Sequence, residues 1–178
     1  MKKIILVVAI ALTATFASAQ DGAKFGVKGG IDMISSKYEY TSYDFNPVTG
    51  LPETYTESET VSTTGFFVGG FAEFGLSDKL TLQPGLNYHT ASKSGVKFDY
   101  LSIPVLFQYE IAESFNVIAG PSLYYSLVSG DQDKTRFNLG VGASYSFTEN
   151  LFVEPRYDIG LTGDAKVSHF LIGVGYKF

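Results

Sequence analysis

The sequence predicts an all-β protein: one closed, antiparallel, eight-stranded transmembrane β-barrel strung as an up-and-down meander. Three observations predict it. From Lys24 onward apolar residues recur with period two, the signature of strands rather than helices. Charged residues within these stretches fall on one of the two faces. Short turns alternate with longer connections along the chain. Composition agrees. Of 178 residues, 45% are hydrophobic and only 17% charged, with Tyr 12, Phe 15 and Gly 19. Disorder needs the opposite balance. A net charge of -5 gives nucleic acid no electrostatic footing, so none is expected as a partner. Cys is 0, which removes disulfides, thiolate metal sites and lipid anchoring through a Cys.

The chain begins with a secretory signal. Lys2 and Lys3 form its charged start, and residues 4–12 form a short apolar run. Ala17-Ser18-Ala19 fits the small-x-small cleavage pattern. Cleavage after Ala19 divides the chain into a signal peptide (1–19) and a barrel domain (20–178). The run is too short to span a bilayer as a helix, and no later segment offers about 20 apolar residues. An exported chain of this kind either stays soluble or crosses a membrane with strands.

The strands follow in order. Phe25, Val27, Gly29, Ile31 and Met33 share one face of the first, opposite Lys28, Gly30 and Asp32. The second, about 65–76, sets Phe66, Val68, Gly70, Ala72 and Phe74 against Phe67, Gly69, Phe71 and Glu73. Leu80, Leu82, Pro84, Leu86 and Tyr88 define the third, and Leu101, Ile103, Val105, Phe107 and Tyr109 the fourth, with Glu110 on its polar face. Phe115, Val117, Ala119, Pro121, Leu123 and Tyr125 define the fifth. Phe137, Leu139, Val141, Ala143, Tyr145 and Phe147 define the sixth. Leu151, Val153, Pro155, Tyr157 and Ile159 define the seventh, against Phe152, Glu154, Arg156 and Asp158. Phe170, Ile172, Val174, Tyr176 and Phe178 close the set, with Lys177 opposite. Each run has roughly the ten residues that cross a bilayer when tilted. The even count and the alternation of short turns with long connections put both ends of the exported chain on the periplasmic side.

The placement of charge decides which face meets lipid. Lys28, Asp32, Glu73, Glu110, Glu154, Arg156, Asp158 and Lys177 all lie opposite the apolar face. A soluble ligand-binding barrel would turn its apolar face inward. Here the second face is Gly, Ser, Asn and Gln with scattered ions, a poor hydrophobic core but a satisfiable polar lumen. Those eight charged residues are therefore read as a lumen network, with Lys28 pairing Glu73 and Arg156 bridging Glu154, Asp158 or a carboxylate across the lumen. Aromatics on the outward face gather toward two rims around an aliphatic band, as at the two lipid–water interfaces. Pro84, Pro104, Pro121 and Pro155 sit within strands, and bulges or local bends are expected there.

Tyr100-Leu101-Ser102-Ile103-Pro104-Val105-Leu106, followed by Tyr109, resembles the "YLxIP" strand of the PorT-like outer-membrane β-barrel family. Phe71-Ala72-Glu73-Phe74 with Leu80-Thr81-Leu82-Gln83-Pro84-Gly85-Leu86 resembles that family's second hairpin, and Phe178 is similar to the terminal aromatic of many outer-membrane barrels. The resemblance implies an outer-membrane location. Some members of the family are linked to protein secretion.

Function is sought in two places. The first is the lumen. Phe67, Phe71, Tyr100, Leu106, Tyr124 and Phe152 point inward, so a wide pore is not expected and a structural polar plug is the plainer reading than an ion path. His89 and His169 point inward near the extracellular rim, with Asp158 and Ser168 near. A hydrolase or acyltransferase site acting on lipid or peptide is one alternative, but no nucleophile elbow or HExxH spacing appears. The second place is the long extracellular loop, 35–63. It holds Tyr38, Tyr40, Tyr43 and Tyr55 among Glu39, Asp44, Glu53, Glu57 and Glu59, a composition suited to recognition. Asn46-Pro47-Val48-Thr49-Gly50 is a turn candidate that would extend the first hairpin above the membrane. The expected role is a non-enzymatic envelope or surface-interaction protein, monomeric, without cofactor or metal. Its expected partners are outer-membrane lipid and a protein met through the loops. A narrow channel or secretion component is the rival.

Overall fold

The computed structural model describes residues 22–178 apart from 47, 94, 129–133 and 164. The expected signal peptide and its expected cleavage site lie outside the described residues.

Eight strands form, in order β1 (Lys24–Phe45), β2 (Pro52–Gly75), β3 (Leu80–Lys93), β4 (Val96–Ala112), β5 (Phe115–Ser126), β6 (Thr135–Ser146), β7 (Leu151–Gly160) and β8 (Ala165–Lys177). Each pairs antiparallel with its sequence neighbours, and β8 returns to β1, closing the barrel. Closure leaves no unpaired edge, which is what hydrocarbon demands of a spanning sheet.

Burial follows the period of two. On β7 the exposed residues Leu151, Pro155, Tyr157 and Ile159 alternate with buried Phe152, Glu154, Arg156 and Asp158. The outward face exposes Phe66, Val68, Leu86, Phe107, Val141, Ile172 and Val174. Nearly every rim aromatic is exposed as expected. Phe74 differs: it is buried, although its partner across the ladder is apolar Leu82.

The lumen is filled in three tiers. At the short-turn end Phe71 and Phe152 meet edge to face, 5.6 Å between centroids. Glycines make this room. A Cβ on Gly26 would stand 2.3 Å from the Phe71 ring, and one on Gly175 would stand 2.2 Å from the Phe152 ring. The middle tier is polar. At the far end Ile34, Ala91, Tyr100, Tyr124 and Val167 form a buried apolar cap, with Phe98 against it.

Three expectations are corrected. First, no bulge forms at any of the four strand prolines. Each instead interrupts the ladder to the preceding strand for two residues, and pairing resumes in the same register. Regular pairing lapses at Ala72 and Glu73 opposite Pro84, at Gly85 and Leu86 opposite Pro104, at Val105 and Leu106 opposite Pro121, and at Ala143 and Ser144 opposite Pro155. On its other side each proline stays paired, with Val105, Ser122, Leu139 and Ile172 respectively. A proline lacks only its N–H, so it fails as a donor toward one neighbour and leaves the other ladder intact. The single register shift among the described residues lies between Glu110 and Ala112.

Second, Glu110 does not belong to the lumen. It is exposed at the short-turn end of β4, where its amide donates to the Lys79 carbonyl. Strand parity points it inward, but the filled lumen stops before its level. Third, two of the long connections are mostly strand, the first extending its hairpin as the turn candidate implied. The 35–63 segment pairs without a break from Ile34↔Thr63 to Phe45↔Pro52 around a turn at 46–51, in which Gly50 N–H donates to the Asn46 carbonyl. Residues 90–93 and 96–99 likewise continue β3 and β4.

Candidate functional site

Two regions concentrate polar chemistry: the middle tier of the lumen, and the hairpin that stands above it.

In the lumen, strand register carries one polar chain from end to end. Lys177 Nζ reaches Glu73 Oε1 at 3.0 Å. Gln83 Nε2 donates to Glu73 at 3.1 Å, and Lys28 Nζ donates to Gln83 Oε1 at 3.0 Å. Lys28 also donates to both oxygens of Glu154, at 2.8 and 3.0 Å. Arg156 then joins Glu154 (3.1 Å) to Asp158 (2.8 Å). Asp158 accepts from the Tyr124 hydroxyl at 2.6 Å. The expected Lys28–Glu73 pair does not form. Lys28 spans the lumen from β1 to β7, and Glu73 takes Lys177 of β8 instead. Register separates the two, since Glu73 lies opposite Lys24 and Lys28 lies opposite Gly69. The bridges of Arg156 to Glu154 and Asp158 form as expected. Apart from Lys177, which is partly exposed at the end of the lumen, these groups are almost entirely buried and satisfied by hydrogen bonds, as a buried charge requires.

Above Asp158 lies a second cluster. His89 Nδ1 stands 2.8 Å from Asp32 Oδ2, and His89 Nε2 stands 2.8 Å from Ser102 Oγ. His169 Nδ1 stands 3.0 Å from the same Asp32 oxygen. Asn87 Nδ2 donates to Ser102 Oγ at 3.1 Å. Stacking fixes the rings: His169 on Tyr124 at 4.2 Å and 14°, His89 beside Phe67 at 5.7 Å and 22°. The His169 and His89 side chains are thus deep in the lumen beneath the apolar cap, not at the rim. Ser168, the expected neighbour, accepts from the Gly160 amide instead.

Sequence reasoning missed Ser102, Asn87 and Gln83. Their signal was inward parity on strands already recognised; their partners needed the register. Asp32, His89 and Ser102 reproduce the hydrogen-bond order of a Ser-His-Asp triad. All three are at 0% exposure. A nucleophile needs room for substrate beside it, so this order alone makes no active site. Asp32, His89 and His169 are also the one group of candidate metal ligands among the described residues, their ligand atoms all within 4.8 Å of one another.

The hairpin is built differently. Beyond Tyr38, β1 has lost β8, and β2 gains β3 only from Gly65. Residues 39–45 and 52–58 therefore form a free two-stranded ribbon. β1 exceeds the ten-residue β7 by about a dozen residues, or about 40 Å of strand. Cross-strand partners share a face, so register sorts the tyrosines. Tyr38 opposes Glu59, Tyr40 opposes Glu57, Ser42 opposes Tyr55 and Asp44 opposes Glu53. Tyr38, Tyr40 and Tyr55 thus share one face with four carboxylates. Tyr43, opposite Thr54, lies on the other. The carboxylate face continues the inward parity of Asp32 and Ile34. All four tyrosines are exposed, Tyr43 most at 76%. Glu53 accepts from the Tyr55 hydroxyl and the Asn46 amide, which hold its carboxyl below the usual range and push the Tyr55 hydroxyl up. Glu57 pushes the Tyr40 hydroxyl up by hydrogen bonding and charge. At its base, Ile34, Ser36, Tyr38, Val61, Thr63, Lys93, Phe98 and Tyr100 line a cavity of about 50 Å³ at the barrel mouth.

This architecture matches known proteins. No curated relative matches the sequence. Among solved structures, the barrel is similar to Ail, the attachment invasion locus protein of Yersinia pestis. The TM-score is 0.52 at 14% identity, covering 89% of this chain and 100% of that one. Neisserial surface protein A is similar at TM-score 0.50 and 18% identity, again covering 89% and 100%. At such identity these neighbours speak for the fold. The model of the outer membrane protein beta-barrel domain matches residues 4–178, nearly the whole sequence. Together with the closed eight-stranded barrel and its apolar outer face, that match places the chain in the outer membrane protein beta-barrel domain family.

Proposed function

We propose that this chain is a non-enzymatic outer-membrane barrel that presents the β1–β2 hairpin as a recognition surface. The observation that carries the reading is the hairpin's face of Tyr38, Tyr40 and Tyr55 interleaved with Asp44, Glu53, Glu57 and Glu59, raised on a barrel whose own lumen is plugged. Exposed tyrosines supply large contact area at low entropic cost. The surrounding carboxylates select a partner with a basic surface and repel polyanions. Ail has been crystallised with a heparin analogue, sucrose octasulfate; the acidic ribbon here favours a cationic protein surface instead.

The filled lumen supports a structural reading of its interior over conduction. Reconstituted into planar bilayers, the protein is expected to show no steady single-channel steps. The Tyr100–Leu106 strand supports a PorT-like affiliation within the family, and a secretion-associated partner is the narrower form of the same proposal.

Photo-crosslinking in living cells tests the reading. A photoreactive residue at Tyr40 or Tyr55 is expected to give one discrete protein adduct. The same residue at Val68, on the lipid face, is expected to give none. Equal labelling at all three positions, or none at Tyr40 and Tyr55 while steady conductance appears, would overturn it.

A further inference from the structure

Among the lumen carboxylates, Asp32 is set apart by its partners. Glu73 has Lys177, Glu154 has Lys28 and Arg156, and Asp158 has Arg156. The ionic partners of Asp32 among the described residues are two imidazoles. Arg136, buried on β6, has an interaction of its own. Asp32 is at 0% exposure, where an ionised carboxylate requires a counter-charge. Both rings turn Nδ1 toward it.

We propose that Asp32, His89 and His169 form a binding site for a divalent first-row transition metal, with zinc the readiest occupant. The donor set is two imidazole nitrogens and a carboxylate, which suits zinc, copper, nickel or cobalt and not the oxygen-seeking calcium or magnesium. The three residues come from β1, β3 and β8, so the ion clasps strands far apart in sequence. His89 Nδ1 and His169 Nδ1 lie 2.8 and 3.0 Å from Asp32 Oδ2, and Oδ1 lies 3.1 Å from His169 Nδ1. Ligands around a tetrahedral zinc ion with bonds of about 2.0–2.1 Å sit roughly 3.3 Å apart, so the two contacts open by a few tenths of an ångström on metal entry, and all the ligand atoms already lie within 4.8 Å of one another. A supporting shell is in place as well. His89 directs its other nitrogen to Ser102 Oγ, held in turn by Asn87, the arrangement that orients a ligating histidine. Tyr100 packs edge-on against His169 at 6.0 Å and also lines the cavity at the mouth, so a single layer of side chains separates the site from the extracellular end. The site is independent of the hairpin and of what binds there.

The test uses full-length processed protein without a polyhistidine tag, folded into detergent micelles with zinc present and then dialysed free of excess ion. Elemental analysis is expected to find one zinc per chain. A His89→Gln/His169→Gln double variant is expected to retain roughly tenfold less or lower, and Ser102→Ala to weaken zinc binding about tenfold through the lost orientation of His89. Glu110→Gln, at the rim, is expected to match the parent. Copper-loaded parent protein should show two imidazole nitrogens by pulsed electron paramagnetic resonance, a readout that stands even if the double variant fails to fold. Absence of zinc from the folded parent, full retention in the double variant, or a copper spectrum without imidazole nitrogen would overturn the proposal.

Discussion

Glu154 in the lumen and Glu53 on the hairpin each accept hydrogen bonds from two side chains, Lys28 and Arg156 in one case, Asn46 and Tyr55 in the other. Their surroundings give these bonds opposite weight. Glu154 is buried between Lys28, whose ionic partner among the described residues is Glu154, and Arg156, which also holds Asp158. Glu53 stands on a ribbon that water reaches from both sides, directly across from Asp44, a like charge. Ionic contacts in the lumen are therefore structural, whereas those on the hairpin dress a surface. A free two-stranded ribbon is marginal in water, so the hairpin keeps its extension through register continuous with the barrel wall.

The sharpest way to break this contrast is to remove Glu154. Glu154→Ala strands Lys28 in the lumen, leaves Arg156 with Asp158 alone, and is expected to cost about 3–5 kcal/mol, measured by urea unfolding from lipid vesicles. A loss comparable with that of a surface mutation would show the lumen to be hydrated. A smaller effect is expected on the lipid face. Val141 lies between the rim aromatics Phe137 and Phe147 of the same face, and Val141→Arg is expected to cost about 2–4 kcal/mol near the bilayer middle. The same assay reports it.

The smallest effect belongs to the hairpin. Tyr55→Phe is expected to leave the unfolding midpoint unchanged while moving the Glu53 titration up toward the ordinary carboxylate range, read by NMR. The sign follows from the lowered carboxyl of Glu53. Its hydrogen bonds stabilise the hairpin above the unfolded-state value and are lost as pH falls through the lowered one. A shift of the unfolding midpoint in Tyr55→Phe would mean the ribbon is coupled to the barrel.

Much of this was legible from residue order. Period-two alternation located all eight strands, and the segregation of Lys28, Asp32, Glu154, Arg156 and Asp158 from Val, Leu and Ile assigned inside and outside. Parity reads one strand at a time, and so it could not say who meets whom. Lys28 finding Glu154 rather than Glu73, Ser102 reaching His89, and Tyr55 joining the face of Tyr38 and Tyr40 all depend on register between strands. Glu110 shows the limit in another form, since parity knows direction but not where the filled lumen ends. The prolines were expected to bring bulges or local bends; no bulge forms, and a missing donor on one side is absorbed by a two-residue lapse because pairing on both flanks holds the register.

The claim beneath all of this is that side chains of alternating parity on β6 face hydrocarbon and a closed polar interior by turns. Nitroxide scanning of residues 137–145 in lipid vesicles measures it directly, comparing collision with oxygen, which concentrates in lipid, and with a water-soluble nickel reagent. Leu139, Val141 and Ala143 are expected to collide with oxygen, and Asn138, Gly140 and Gly142 with neither. Strong nickel access at the second set would open the lumen to water. Equal nickel access at the first set would take the outer face out of the membrane and contradict the account.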